Sequence, residues 1–182
     1  MMAALVPLLL FWRANVVEFL GLRWVEWRWV FLIAPVFVLG MFAVNATFYV
    51  TGWHQRVMEV FGGGAQEMVK MMRETGDVKM IAASVFAAVV VAPIAEELIF
   101  RGYIYPVVKR FSERWFAALF SAMLFGVIHF NLVSFPVLVV MGVVLVMLYE
   151  RTGSIWPPIA CHALFNAVSM VFILLSRFVP AA

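Results

Sequence analysis

Charge is scarce in this chain. Only 13% of its 182 residues are Asp, Glu, Lys or Arg, whereas 66% are hydrophobic. The mean hydropathy of +1.04 indicates a membrane protein and excludes an ordinary soluble domain. The net charge of +3 is too small to favour a nucleic-acid partner. Basic residues that face the anionic headgroups of a lipid bilayer explain this charge better.

Cysteine and aspartate are almost absent, and their scarcity excludes several chemistries. The single cysteine, Cys161, excludes an intramolecular disulfide and a multi-cysteine metal site. The single aspartate, Asp77, excludes a two-aspartate protease. The chain has no His-Glu-x-x-His zinc signature, and Ser154 lacks the Gly-x-Ser-Gly context of a serine nucleophile. Cys161 and His162 point about 100° apart on a helix, which disfavours a Cys–His dyad.

Four charge-free stretches predict an all-α, polytopic transmembrane helix bundle. They cover residues 29–50, 80–95, 115–149 and 152–176. Because a helix needs about 20 apolar residues to cross a bilayer core, we expect five full spans, with the third stretch folding back on itself as two short ones. Alternating the spans places more Lys and Arg on the face that receives Arg114 and Arg151, which favours that face as cytoplasmic.

The remaining segments divide the chain into two parts. Residues 1–28 are predicted to be a partial span and an interfacial segment, because their Trp and Arg residues interleave as at a membrane boundary. The first twelve residues are apolar but lack a basic leader and a small-residue cleavage site, which disfavours a cleaved signal peptide. Residues 29–182 are predicted to form one membrane domain, with an interfacial loop and helix at 51–78. Three glycines at 62–64 form a hinge there, and a passive surface helix is favoured over a moving gate.

Three polar clusters interrupt the apolar stretches. They are Glu96-Glu97-x-x-x-Arg101, Phe125-x-x-x-His129 and His162-x-x-x-Asn166. Ionisable groups at membrane depth are costly, so each cluster is a functional hypothesis. Measured at 1.5 Å per residue from one membrane face, Glu96, His129 and Asn166 each lie roughly 20 Å deep, and His162 lies roughly 15 Å deep. This shared depth predicts a single site.

The spacing within the clusters suggests a chemistry. Glu97 and Arg101 are four residues apart and are expected to pair on one helix face. Glu96 lies about 100° round that helix and is free to act as a desolvated general base beside the histidines. His162 and Asn166 offer a ring nitrogen and an amide one turn apart, which suit a developing oxyanion.

Each cluster also has a structural interpretation. The pair of Glu97 and Arg101 fits a buried structural ion pair as well as a catalytic one. His129 alone fits a hydrogen-bonded structural histidine, and Asn166 alone fits a hydrogen bond between helices. Phe125 is expected to be packing. The coincidence of depth favours the functional interpretation, because independent structural roles have no reason to share it.

Three stretches resemble the motifs of a known family. They are APIAEELIFRGYIY at 92–105, SAMLFGVIH at 121–129 and ERTGSIWPPIACHALFNAV at 150–168. Together they are similar to the three motifs of the CPBP intramembrane proteases, formerly the Abi family. That family includes the type II CAAX prenyl endopeptidases and bacterial proteins linked to bacteriocin processing and self-immunity. The likeness covers about residues 78–176.

The resemblance implies hydrolysis of a peptide bond in a membrane-associated protein or peptide. It implies that Glu96 activates water, that Glu97 and Arg101 support it, that His129 positions the water, and that His162 and Asn166 stabilise the oxyanion. It favours a metal-free glutamate mechanism without a cofactor, since Asn is a poor zinc ligand and a good oxyanion donor. Zinc held by Glu96, His129 and His162 is the alternative.

The resemblance also implies a multi-pass protein of a bacterial or archaeal cell membrane. Because family members have a larger N-terminal part than this chain, a homo-oligomer or a partner protein is expected to complete the substrate groove. One alternative is a non-catalytic protein that binds membrane peptides or confers self-immunity to a bacteriocin. A proton-coupled transporter is disfavoured, because the sequence shows no inverted halves with broken helices.

Overall fold

The fold is a bundle of helices. The computed structural model describes residues 20–23, 27–61 and 67–178, and within these ranges there is no strand. The helices are α1 (Trp27–Val50), α2 (Trp53–Phe61), α3 (Glu67–Glu74), α4 (Val78–Lys109), α5 (Arg114–Val127), α6 (Phe135–Thr152) and α7 (Trp156–Leu175), which ends in a 3₁₀ turn at Ser176–Phe178. The predicted all-α membrane bundle is thereby confirmed.

The number of spans differs from the prediction. Four helices, α1, α4, α6 and α7, are long and apolar enough to cross a membrane, so the chain is a multi-pass integral membrane protein. The prediction of five spans is wrong, because α5 has only 14 residues. At 1.5 Å per residue α5 is about 21 Å long, whereas a bilayer core is about 30 Å thick. The third charge-free stretch does fold back on itself, but the helix in its first arm has only 14 residues.

Small residues allow α5 and α6 to pack closely. A Cβ atom added to Gly142 would lie 2.8 Å from the Cα of Ala122, so the two backbones are nearly in contact there. At Gly126 an added Cβ would lie 2.9 Å from the ring of Phe135. Close approach at small residues is the usual way in which membrane helices associate. This close packing holds the end of α5, just before His129, against the rest of the bundle.

A continuous apolar core joins the spanning helices. Its buried members are Ala34, Phe37, Val38, Met41, Phe100, Phe125, Met141, Leu145 and Cys161. Large apolar side chains also cover the outer surface, including Phe31, Phe116 and Phe172, each more than half exposed. In water such a surface would aggregate, whereas in a bilayer it faces lipid.

The turn between α6 and α7 fixes the chain just before α1. Gly153 ends α6 in the left-handed conformation with φ 61°. The Ser154 hydroxyl then donates to the Arg23 carbonyl at 2.6 Å, and the Ile155 N–H donates to the Gly21 carbonyl at 2.9 Å. The start of α1 and the end of α6 therefore lie at the same membrane face. Most of the predicted partial span at 1–28 lies outside the described residues.

Helices α2 and α3 occupy the segment predicted to be interfacial. The Trp53 indole N–H of α2 donates to the Val133 carbonyl, in the loop between α5 and α6, at 3.1 Å. Beyond α3, the Thr75 carbonyl accepts a 2.6 Å hydrogen bond from Arg177 after α7. These bonds attach the segment to the bundle at the face opposite Arg114. Its interfacial role, and the division of the chain at residue 28, stay predictions.

Candidate active site

A π-helical turn just before the glutamates shapes one side of the site. The Ala92 N–H donates to the Ala87 carbonyl, five residues back, instead of to Ala88. If this five-residue spacing continued, the N–H of residue 93 would donate to the Ala88 carbonyl. Residue 93 is proline, however, and has no N–H. The Asn166 amide of α7 donates to that carbonyl at 2.9 Å. A side chain thus replaces the missing backbone donor and links α7 to α4.

A buried network of charges lies one helical turn further along α4. Arg101 Nη1 donates to Glu97 Oε1 at 2.8 Å, as the spacing of four residues predicts. His162 Nδ1 lies 2.9 Å from the same oxygen. Arg101 Nη2 donates to the Gly142 carbonyl of α6 at 3.0 Å. Glu97, Arg101 and His162 are at most 2% exposed, so the network connects three helices out of contact with solvent.

Glu96 faces the two histidines and not the buried pair. Its Oε2 lies 3.7 Å from His162 Nε2 and 4.0 Å from His129 Nε2. The side chains of Glu96 and His129 are 22% and 24% exposed, whereas His162 is buried. Residues from α4, from α7 and from just after α5 thus meet at one point, and two of their side chains are partly exposed.

Phe125 has more contacts here than the sequence suggested. Its carbonyl lies 2.7 Å from His129 Nδ1, and the ring of His129 lies 4.9 Å from its own. The Arg101 guanidinium lies 5.0 Å from the centroid of the same ring, and the centroid of the His162 ring lies 5.7 Å away. Phe125 therefore packs, as expected, and also orients His129. The four-residue spacing of Phe125 and His129 could have predicted this contact. Nothing in the sequence near Arg101 predicts its hydrogen bond to the Gly142 carbonyl.

The hydrogen bonds determine which ring nitrogens carry protons. A carbonyl only accepts, so His129 Nδ1 must donate to Phe125 and must carry the hydrogen. His162 Nδ1 likewise donates to the carboxylate of Glu97. In their neutral forms both rings therefore present an Nε2 lone pair toward Glu96. Within the described ranges Glu96 Oε2 accepts no hydrogen bond. Glu96 Oε2 and the two Nε2 atoms are therefore three hydrogen-bond acceptors that face one another. A water molecule between them could donate a hydrogen bond to two of the three.

Glu96 Oε2, His129 Nε2 and His162 Nε2 are also atoms of the kind that zinc binds. The distances between them are, however, longer than in a zinc site. Zinc bonds of about 2.0–2.1 Å in a tetrahedron hold ligand atoms about 3.3 Å apart. Glu96 Oε2 lies further than this from both ring nitrogens. In the part of the chain that the structure describes, no group of three or more His, Cys, Asp and Glu residues is arranged to hold a metal ion.

His162 and Asn166 do not present two ready donors side by side. Both ring nitrogens of His162 are directed at glutamates, so Nε2 can donate only after it gains a proton. Asn166 uses one amide hydrogen on the Ala88 carbonyl and keeps a second. The Ala88 contact fixes the amide plane and hence the direction of that second hydrogen.

Comparison with known proteins places the site inside a recognised region. A family model described as type II CAAX prenyl endopeptidase Rce1-like matches residues 78–168, which include all six candidate residues. A Bacillus subtilis (strain 168) protein, provisionally named membrane peptidase YdiL, is 31% identical over 94 residues, or 52% of this chain and 38% of the relative. The UPF0177 protein YbdI of Lactococcus lactis subsp. lactis (strain IL1403) is 36% identical over 85 residues, or 46% of this chain and 45% of the relative. The chain thus spans less than half the length of these curated relatives. No solved structure gave a significant match.

Proposed function

The chain belongs to the type II CAAX prenyl endopeptidase Rce1-like family, and on that premise we propose that it is an intramembrane endopeptidase. It hydrolyses a peptide bond of a membrane-associated protein or peptide with a water molecule activated by glutamate and histidine. The observation that carries this proposal is the convergence of Glu96 Oε2 with two histidine Nε2 atoms within 4.0 Å.

In the first step the water attacks the substrate carbonyl. It donates one hydrogen toward Glu96 and the other toward His129 Nε2, which leaves an oxygen lone pair directed at the substrate. As the new C–O bond forms, a water O–H bond breaks and the proton passes to Glu96. The buried Glu97 and Arg101 do not touch the water. They orient His162, since Glu97 Oε1 binds its Nδ1.

In the second step the tetrahedral intermediate collapses. Its oxyanion accepts a hydrogen bond from the second amide hydrogen of Asn166. His162 becomes a second donor when Nε2 takes the proton from Glu96, 3.7 Å away. The C–N bond then breaks, and the leaving amine takes that proton, which returns the site to its starting state. No step needs a metal, and the spacing of the acceptors favours water over zinc.

The position of the site favours a substrate that enters from the lipid. His129 follows α5, which begins at Arg114 and extends about 21 Å into the membrane. Glu96, His129 and Asn166 are the partly exposed members of the site. A peptide therefore has to expose an unwound bond at that depth. A short membrane tail or a peptide precursor held in the bilayer meets this requirement, and a homo-oligomer or partner protein would complete its groove.

The test is cleavage of membrane-tethered peptides by the purified protein in lipid, with wild type compared with Glu96→Gln. The substitution keeps the size of the side chain but removes the base, so we expect activity to fall about 10²–10⁴-fold. Glu113→Gln is the matched control, because Glu113 is an exposed glutamate outside the site. Equal elution volumes and melting temperatures show that all three proteins are folded.

A zinc chelator added to the wild type separates the two mechanisms. Activity that persists under chelation supports the metal-free route. Activity that is lost and then restored by zinc assigns Glu96, His129 and His162 as ligands instead. Full activity of Glu96→Gln contradicts the proposed base. A folded wild type that binds the peptides without cutting any of them favours a non-catalytic peptide-binding or immunity protein.

A further inference from the structure

A pocket lies away from the candidate active site, at the membrane face where α4 and α6 end and α5 begins. Residues that line it include Tyr105 of α4, Arg114 and Trp115 of α5, and Glu150 and Arg151 of α6. None of the six candidate active-site residues lines it. Because spans end at this level, the pocket lies at the depth of the lipid headgroups.

The pocket has a surplus of positive charge. Among the described residues that line it, the one acidic side chain is Glu150, which Lys109 binds at 2.6 Å. In the described ranges Arg114 and Arg151 form no ion pair, and the Arg114 guanidinium lies 5.0 Å from the centroid of the Trp115 ring. Two arginines whose charge is not balanced by an ion pair within the described residues can both be directed at one anion.

A buried hydroxyl adds a polar group to the pocket wall. Tyr105 is fully buried, and its hydroxyl has no well-formed hydrogen bond, although it lies near the Glu150 carboxylate that Lys109 binds. A phosphate oxygen in the pocket would give this hydroxyl an acceptor in place of that carboxylate, which Lys109 already binds.

The outer face of α5 continues from the pocket into the membrane. Trp115, Leu119 and Met123 follow one another at four-residue intervals and are 59%, 50% and 47% exposed. Residues four apart share one helix face, so they form an apolar stripe that begins at the pocket. A ligand with an anionic head and a long apolar chain matches both parts at once.

From these observations we propose that the pocket binds the phosphate of an anionic phospholipid headgroup, with an acyl chain lying along the outer face of α5. Arg114 and Arg151 contact the phosphate oxygens, and the Tyr105 hydroxyl donates to one of them. The site includes the start of α5, and His129 follows the end of that helix, so a bound lipid would hold the short helix at a fixed depth.

The experiment is native mass spectrometry of the full-length protein in equal amounts of phosphatidylglycerol and phosphatidylcholine. Near a membrane surface each arginine contributes about fivefold to the binding of an anionic lipid. We expect Arg114→Gln and Arg151→Gln each to reduce the preference for phosphatidylglycerol about fivefold. Arg110→Gln is the control, because it removes the same charge at the same face outside the pocket. Tyr105→Phe removes a hydrogen bond to the phosphate that both lipids carry, so it should weaken the binding of both lipids and leave the preference unchanged.

Inorganic phosphate in excess distinguishes a lipid site from a site for free phosphate. A lipid that is also held by its acyl chain should remain bound, whereas displacement by phosphate overturns the lipid assignment. If Arg114→Gln, Arg151→Gln and Arg110→Gln all have the same preference for phosphatidylglycerol, the pocket is not the binding site. Peptide cleavage is not measured, so the result does not depend on the proposed protease function.

Discussion

Arg101 determines the charge balance of the buried network. Its guanidinium is 1% exposed and binds both the Glu97 carboxylate and the Gly142 carbonyl. The spacing of four residues predicts the pairing with Glu97, because both side chains lie on one helix face. His162 as a further partner of Glu97 could not be predicted, since 65 residues separate the two and spacing along the chain gives no lateral position.

Removal of Arg101 alone should therefore be strongly destabilising. Arg101→Met leaves Glu97 charged and buried, and we expect the free energy of unfolding to fall by about 3–5 kcal/mol. The double variant Glu97→Gln, Arg101→Met removes both charges and should recover part of that loss. Chemical unfolding in detergent micelles measures both values. Arg56→Met, at the exposed surface of α2, should change stability by less than about 0.5 kcal/mol. Equal losses in the single and double variants would show that charge balance is not the cause.

Among the elements, α4 departs most from regular helix. It contains two π turns, at Ala87–Val91 and Phe100–Ile104. The first comes directly before Ala92 and Pro93, and Asn166 completes its hydrogen bonding. The sequence shows the proline and the asparagine but not that they act on the same carbonyl. That connection depends on the packing of α7 against α4, which brings residues 78 positions apart into contact.

A double-mutant cycle tests this connection. Asn166→Ala leaves the Ala88 carbonyl without a donor and should cost about 1 kcal/mol of stability. Pro93→Ala supplies an N–H at residue 93, so Asn166→Ala should cost much less in that background. Unfolding free energies of the four proteins give the coupling. An Asn166→Ala cost that is the same in both backgrounds would mean that proline does not create the need for the asparagine.

The close contact between α5 and α6 gives a second test at this scale. Gly142→Ala places a methyl group 2.8 Å from Ala122, so the helices must separate, and we expect a loss of about 1–3 kcal/mol. Gly40→Ala in α1 is the matched control, because nothing lies within 4 Å of its added Cβ. It should leave stability unchanged or raise it by up to about 1 kcal/mol. Thermal unfolding of both variants distinguishes packing from helix propensity, and a stable Gly142→Ala protein would disprove the tight contact.

In the whole molecule, the helix ends define two opposite membrane faces. Arg114 and Arg151 lie at one face, whereas the Thr75–Arg177 hydrogen bond lies at the other. The short α5 does not change this arrangement, because it enters and α6 returns at the same face. The excess of basic residues predicts that the face with Arg114 is cytoplasmic.

Cysteine labelling in whole bacterial cells measures that orientation. In a Cys161→Ala background, Gly76→Cys should react with a membrane-impermeant maleimide from outside. Glu113→Cys should react only after the cells are permeabilised. Both positions are exposed and lie at opposite faces, so each serves as the control for the other. The reverse pattern would invert the protein in the membrane.

The sequence by itself determined the class of this protein. Composition and charge-free stretches identified a helical membrane protein, because a bilayer core admits few other structures for such a chain. The three motifs identified the family, and the match of residues 78–168 confirmed it. Only the tertiary structure decided that α5 is a helix of 14 residues, that Glu96 faces the Nε2 atoms of two histidines, and that Asn166 completes the first π turn of α4. These features depend on how helices distant in sequence lie beside one another, and helical periodicity contains no information about lateral packing.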